Sequence, residues 1–413
     1  MIQDSLHHLT LKNNHRLCDW FDQQIGKLSF PIYSSYDIRD SGYKVTNVDA
    51  NIYPAGFNNI CPADIEHVPD LFKEYLVKHY SKMPQRIVLL TEQHTQNPYY
   101  WDNVHTLMHV LTKINIEVRA AVPVALEKNL NLESARGHKV EVYSAHQESG
   151  LWSEFKPDLV VSNNDFSESF EAWAENFQYP INPPREMGWY QRKKSRYFKH
   201  YNAIVNEFCQ VATLDPFTMR VETELFENFD INDEKSRSDL ADKTSDFMNR
   251  LTSLYKEKDI KQKPFVFVKN NSGTYGLAVI KVSDPADIKQ WSYKSRKKMK
   301  AAKGGREVEE VIIQEGIPSQ VQSESVTAEP VIYMVGSHLA GGFLRTHAEK
   351  DSTESLNSPG AIYKKLCMSD LLVKPEDCPM ENVYGWSAKL GLLAIGREAQ
   401  EMNVNYKSFI QRS

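Results

Sequence analysis

No run of apolar residues in this chain comes near the roughly 20 that a helix needs to cross a bilayer. The most apolar stretches, Ile87–Leu90 and Val311–Ile313, are far shorter, and the opening MIQDSLHHLTLKNNH has no apolar segment behind a basic start. Neither a membrane partner nor a secretory leader is expected. Cysteine is sparse: Cys18, Cys61, Cys209, Cys367 and Cys378 are odd in number, scattered, and form no C-x-x-C. No Cys/His cluster has zinc-ligand spacing, so a reduced, cytoplasmic protein is the expectation. His105 and His109 share a helix face at i, i+4 but have no third ligand nearby in sequence, which leaves a zinc site unsupported. Charge of one sign is missing too. A formal net charge of −5 over 413 residues gives no electrostatic footprint for nucleic acid. The one dense basic run, Lys294–Lys303 with Arg306, reads first as a solvated helix face. There is no internal repeat, no low-complexity tract and no GxxxxGK[ST] phosphate loop.

What is present is an ordinary globular composition, 41% hydrophobic and 25% charged, with length enough for two or three packed domains. Helical spacing covers Leu17–Leu28, Ile65–Tyr80 and Trp101–Lys113, and strand patterns cover Tyr43–Ile52, Gln85–Leu90, Glu117–Ala121 and Lys156–Ser162. Strands alternating with helices predict an α/β domain over residues 1–180. Residues 181–263 read as a connector entering a helix, followed by a polar stretch of exposed helices or loops. After Lys263 the pattern changes to an α+β half, 264–413, ending in a helix at Tyr384–Met402.

That second half carries most of the chemistry. A strand ending in Lys269 runs into Asn270-Asn271-Ser272-Gly273-Thr274-Tyr275-Gly276 and a second strand follows. Glycines let backbone N–H groups approach phosphate oxygens, and the adjacent lysine supplies charge; the bland reading is a Gly-containing hairpin. Further on, the strand Glu309–Ile317 ends in Gln314, Glu315 and Ile317, a polar pair and an apolar residue, and so resembles the hinge strand by which ATP-grasp ligases grip adenine with backbone groups and apolar side chains. Then come a strand with Arg345 and a loop with Glu354 and Asn357. Between the hairpin and that hinge-like strand, about 291–306, the likeness to ATP-grasp ligases implies a lid over the phosphates. Upstream, Arg192-Lys193-Lys194 opens a helix where ATP-grasp ligases, which this order resembles, carry a first phosphate-contacting lysine. Lys194 is the preferred residue and Lys193 the next, and a basic helix start with no ligand is the alternative. Asp49 and Asn51, two apart on a strand, point to one face and suit Mg²⁺; turn chemistry is the alternative. Asn58 and Asn59 follow the turn, where their amides can meet an amino acid.

Together VDANIYPAGFNN, GWYQRKKSRYF, VKNNSGTYG, IIQEGI and SLNSPGA resemble the proteobacterial ATP-grasp-type glutamate–cysteine ligases over nearly the whole chain. More remotely, the chain resembles the eukaryotic glutathione synthetases, whose late LLRT strand compares with Phe343–Thr346 here. The resemblance implies an ATP-grasp-like fold, circularly permuted, and ATP with Mg²⁺ as cofactors. It implies that ATP phosphorylates the side-chain carboxylate of glutamate and that the cysteine amine displaces phosphate, the first step of glutathione synthesis. Lys194, Lys269 and Ser272–Gly276 would then hold phosphates, Gln314, Glu315 and Ile317 adenine, and Asp49, Asn51 and Glu354 the metal. Arg345, Arg192, Asn58, Asn59 and Asn357 would meet substrate, with Arg345 and Lys269 catalytic. One departure stands out: the hairpin has no carboxylate, so Asn271, Asn357, Glu354 or Glu329 must complete the metal shell. Another amino-acid ligase, or a non-catalytic nucleotide-binding protein, is the competing reading.

Overall fold

The computed structural model describes residues 2–175, 177–273, 278–292, 295, 297, 308–373 and 380–406. At its centre is an antiparallel sheet in which Ile362–Leu366, His338–Thr346, Val326–Val335, Tyr33–Asp40 and Val45–Asn51 lie side by side in that order. Gln322–Ser323 pairs with the third of these. Successive side chains of a strand face opposite ways, and both faces here are covered. Tyr36, Ile38, Ile332 and Met334 enter one core, with Trp386 and Leu390 of the helix Val383–Glu401 and Phe198 of the helix Lys194–Ala212. Tyr33, Val331, Tyr333 and Val335 enter a second, with Phe72 of Val68–His79 and Trp101 of Pro98–Thr112.

The second sheet has the order Leu130–Glu133, Lys139–Ser144, Glu117–Val122, Arg86–Leu90, Leu159–Ser162, Ile181–Asn182. All its neighbours run parallel except the first pair, a hairpin. Val88 and Leu90 face one core and Ile87 and Leu89 the other, which is why RIVLL is apolar throughout. The third sheet is antiparallel: Val279–Val282, Val266–Asn270, Val311–Glu315, Thr223–Phe226. Behind it, Ile288 of the short helix Ala286–Lys289 shares a core with the long helix Glu234–Glu257, which lies where exposed helices or loops were expected. Asp233 caps that helix by accepting from Lys235 N and Ser236 N, and a narrow stripe of Leu240, Phe247 and Leu251 is buried. The stripe is diluted by so many charges that the segment reads as polar.

Two further departures bear on the site. The strand Tyr33–Asp40 (YSSYDIRD) was not expected; it is polar in sequence yet buried along nearly all its length, because its polar side chains meet partners. Through it, two strands from the expected 1–180 region join a sheet with strands from 264–413, so the sheet crosses both expected boundaries.

The expectation of five unpaired cysteines is corrected. Cys61 and Cys367 form a disulfide across 306 residues, while Cys18 and Cys209 are free and Cys378 lies outside the described residues. Sequence distance hid the pairing; the central sheet brings the end of Ile362–Leu366 beside the turn that follows Asn59. Cross-linking so long a loop restricts the unfolded chain, and its loss typically costs about 2–5 kcal/mol. Cys61→Ser should therefore lower the thermal unfolding midpoint of oxidised protein and leave that of protein treated with dithiothreitol unchanged. Equal midpoints for wild type with and without the reductant would contradict a bridge in solution.

Candidate active site

A pocket opens between the central and third sheets, lined among others by Asp37, Asp49, Lys194, Lys269, Gly273, Gln314, Glu315, Ile317, Glu329 and Asn357. It is continuous with a cavity of about 990 Å³ that shares Asp37, Asp49, Gly273 and Asn357 and adds Asn51, Asn58, Asn59 and Arg345. The aspartate near residue 50 and the glycine hairpin near 273, far apart in sequence, thus lie on one pocket.

Lys194 begins its helix, whose first turn is pinned by Asn271: Lys194 N donates to Asn271 O and Ser195 N to Asn271 Oδ1, both at 2.8 Å. From there Lys194 Nζ donates to Asp49 Oδ1 at 2.6 Å and lies 4.6 Å from the Trp189 ring centre. Lys269, buried on the strand Val266–Asn270, donates to Val48 O at 3.2 Å. That carbonyl sits at a bulge where the pairing slips between Asp37 and Ile38, and Gln314 Nε2 also approaches it at 3.4 Å. Burial lowers the Lys269 pKa to about 8, against the attraction of Asp49 and with the repulsion of Lys194. Burial works to raise Asp49, but Lys194 and Lys269 override it and hold its carboxyl below the usual range.

Opposite Asp49 in register stands Asp37. Arg345 Nη1 donates to Asp37 Oδ2 at 2.8 Å and to Glu329 Oε1 at 2.6 Å, and Arg39 Nε meets Glu329 Oε2 at 2.6 Å. Burial raises Asp37 above the usual carboxylate range despite Arg345, while the two arginines overcome burial and hold Glu329 below it. Arg39 also donates to Ser352 O and Glu354 O, fixing the loop that leads to Asn357. Asp37 and Arg39 were absent from the sequence expectations; the signal was the alternation in YSSYDIRD, with Tyr36 and Ile38 turned to the core.

Several expected site residues are placed otherwise. Arg192 is 1% exposed and bonded through Nε and Nη2 to Glu398, so it ties the connector to the last helix, and it lines neither cavity. The Glu354 carboxylate accepts from Lys350 Nζ and Asp351 N, and the residue lines neither cavity, so it is not placed with Asp49 as expected. Asn271 is spent on the helix cap and on Glu310. Ser272 is tied to neighbouring backbone and loop atoms: its N donates to Asn270 Oδ1 at 3.0 Å and its Oγ to Arg192 O at 3.1 Å. Glu315 has its carboxylate buried against Lys44 Nζ, Tyr255 OH and Glu222 N, so it anchors the hinge strand from behind. Asn51 Oδ1 accepts from Tyr53 N at 2.9 Å while the residue still lines the cavity. Thr274, Tyr275, Gly276 and most of the expected lid lie outside the described residues. His105 stacks on His138 at 3.9 Å between ring centres, and among the described residues the only metal-like grouping is Cys61, Asp64 and Cys367, two of which are bonded together.

Residues 7–399 match the family model GshA: Glutamate-cysteine ligase. The chain belongs to the glutamate–cysteine ligase family. Among solved structures it is similar to one from Methylobacillus flagellatus KT named "Putative gamma-glutamylcysteine synthetase", at 30% identity over 96% of both chains with a TM-score of 0.85. The D-cycloserine synthetase DcsG, at 14% identity over 77% of this chain and 82% of that one, has a TM-score of 0.40. A glutathione synthetase-like effector from Globodera pallida, at 10% identity over 87% and 86%, has one of 0.39. At these scores the last two likenesses are too slight to argue from. No curated protein matches the chain. No helix among the described residues is long and apolar enough to cross a membrane. The protein is thus a ligase that joins glutamate to cysteine, in a family whose reaction consumes ATP.

Asp37, Asp49 and Glu329 all line the pocket, but Arg345 takes up both oxygens of Asp37, and Arg345 and Arg39 those of Glu329, so of the three only Asp49 offers an oxygen of the kind Mg²⁺ prefers. Among the described residues nothing donates to the second oxygen of Asp49, which leaves it open to a metal.

Proposed function

We propose that this pocket is the reaction centre, in which the side-chain carboxylate of glutamate is activated by phosphoryl transfer from ATP and then joined to the amine of cysteine. The observation that carries the reading is the meeting of Asp49 from the N-terminal part with Lys194 and Lys269 on the pocket that Gly273 lines. A carboxylate becomes a good leaving-group partner only once phosphorylated, and catalysis of that transfer is mostly positioning and neutralisation of charge. Lys194, Lys269 and the hairpin backbone would hold the triphosphate, and Gln314 to Ile317 the adenine. Arg345, kept charged by Asp37 and Glu329, would face the charge that develops on the acyl oxygens. Asp49, with Asn51, the expected alternative Glu329 and the newly found Asp37, would hold Mg²⁺, whose chemistry is to neutralise phosphate oxygens.

In this reading the fold is ATP-grasp-like and circularly permuted: 1–180 brings metal and substrate groups, 181–263 connects, and 264–413 brings the nucleotide-binding strands, with a lid at about 291–306. An ATP-consuming reaction fits the cytoplasm, and there Cys61–Cys367 would meet a thiol pool that favours reduction.

Phosphate release from ATP should appear with glutamate and cysteine together and not with either alone. Release with γ-glutamylcysteine and glycine instead would make the enzyme a glutathione synthetase relative, and silence in every mixture would leave only nucleotide binding. Asp49→Asn should raise the Mg²⁺ concentration needed for half-maximal rate by about 10-fold or more, the usual effect of weakening a metal shell. An unchanged Mg²⁺ titration would remove Asp49 from that shell.

A further inference from the structure

The large cavity has a second end that the phosphate chemistry does not use. Beyond Asp37, Asp49 and Arg345 it extends to a wall made of the turn at Asn58 and Asn59, the loop that follows the parallel strand Arg86–Leu90, and the turn at Arg136. Loops at the carboxyl ends of parallel strands are where open α/β sheets bind ligands. At about 990 Å³ the cavity is at the upper end of small-molecule sites and has room beyond one reacting carboxylate.

The chemistry of this wall differs from that of the reaction end. Arg345 and Lys194 are each matched to a carboxylate, but among the described residues no carboxylate pairs with the Arg136 side chain. Arg136 is solvent-exposed, but two hydrogen bonds orient it: its backbone N donates to Asp102 Oδ1 at 3.2 Å and its Nη2 to Asn58 O at 3.1 Å. Asn58 Nδ2 reaches Asn59 Oδ1 at 3.3 Å, whereas Asn58 Oδ1 is buried and has no partner. Trp189 Nε1 and Ser358 Oγ, on two more residues lining the same cavity, are likewise buried and unpartnered. Buried polar atoms left unpaired carry a cost, and a group of them around one cavity calls for a polar ligand.

A guanidinium lacking a counter-ion beside an amide oxygen lacking a donor matches the head of an α-amino acid, carboxylate to the first and ammonium to the second. Two amino acids enter this reaction, and chemistry separates them. The amine of cysteine is the nucleophile, so it must stand at the phosphorylated carboxylate. The α-amine of glutamate is not consumed, and its reacting carboxylate sits at the far end of its side chain. Resting on the reading that this is the ligase's reaction centre, we propose that Arg136 and Asn58 hold the α-carboxylate and α-ammonium of glutamate. Held so, the α-carboxylate is kept away from the phosphoryl donor and the γ-carboxylate is the one presented.

Michaelis constants measured separately for glutamate, cysteine and ATP test this in the full-length protein. Arg136→Ala should raise the KM for glutamate roughly 10- to 100-fold, as loss of one charge-assisted hydrogen bond does, with those for cysteine and ATP within about 2-fold. Arg136→Lys, which keeps the charge but not the fork, should fall between. Asn58→Leu should narrow the preference for glutamate over glutarate, which lacks the ammonium, by about 10-fold. A rise confined to the KM for cysteine, or no change in any of the three, would overturn the assignment. Wild-type protein with no turnover of glutamate and cysteine would instead overturn the reaction itself, a result these variants cannot mimic.

Discussion

Replacing Lys269 by methionine should abolish most turnover and, at neutral pH, make the fold more stable. The lysine is buried and titrates at about 8, against an ordinary 10.5. Between those two values the unfolded chain binds more protons at this position than the folded one, so its contribution to stability rises with pH across that window. Below pH 8 both states are protonated, and the buried charge costs the fold on the order of 3 kcal/mol. Methionine keeps the volume and removes the charge, while Asp49 keeps Lys194 as its partner. The unfolding midpoint at pH 7 should rise, and kcat/KM should fall by about 10²–10³, the scale of losing one charged donor to a developing anion. In the wild type, kcat/KM should decline as pH rises through about 8. Activity near wild type in Lys269→Met, or a lowered midpoint at pH 7, would refute this account of the lysine.

Arg345→Met should do the reverse for stability and the same for activity. Arg345 is shared by Asp37 and Glu329 and its removal strands Asp37 in a buried site. Breaking a buried pair from one side costs about 3–5 kcal/mol, because the remaining charge loses its compensation. Adding Asp37→Asn removes the stranded charge, while Glu329 retains Arg39. The double variant should therefore recover much of the lost stability in urea unfolding yet release no phosphate above background. Recovery of turnover along with stability would show that Arg345 acts only by holding the sheet together.

The contrast between Lys269 and Arg345 also explains what the sequence could reveal. Lys269 with its glycine turn, and Gln314 with Ile317, are local patterns on single strands, and the structure places them on one pocket. Asp49 could be read because turn signals follow it closely. Asp37 and Arg39 were missed although Tyr36 and Ile38 alternate with them, because a strand whose polar side chains are satisfied by partners hundreds of residues away looks like a loop. Arg192 and Glu354 fail for the same reason in the opposite sense: each carries the right charge, but Glu398 and Lys350 take it up. The parallel sheet was legible from continuous apolar runs, whereas its central antiparallel neighbour depends on pairing between Tyr33–Asp40 and Val326–Val335, which periodicity does not encode.

The most direct measurement is a crystal structure with a non-hydrolysable ATP analogue and Mn²⁺ in place of Mg²⁺. The anomalous signal of Mn²⁺ should lie within coordination distance of Asp49, with the triphosphate against Lys194, Lys269 and the Gly273 turn. A triphosphate bound elsewhere, or a metal out of reach of Asp49, Asp37 and Glu329 alike, would contradict the proposed reaction centre.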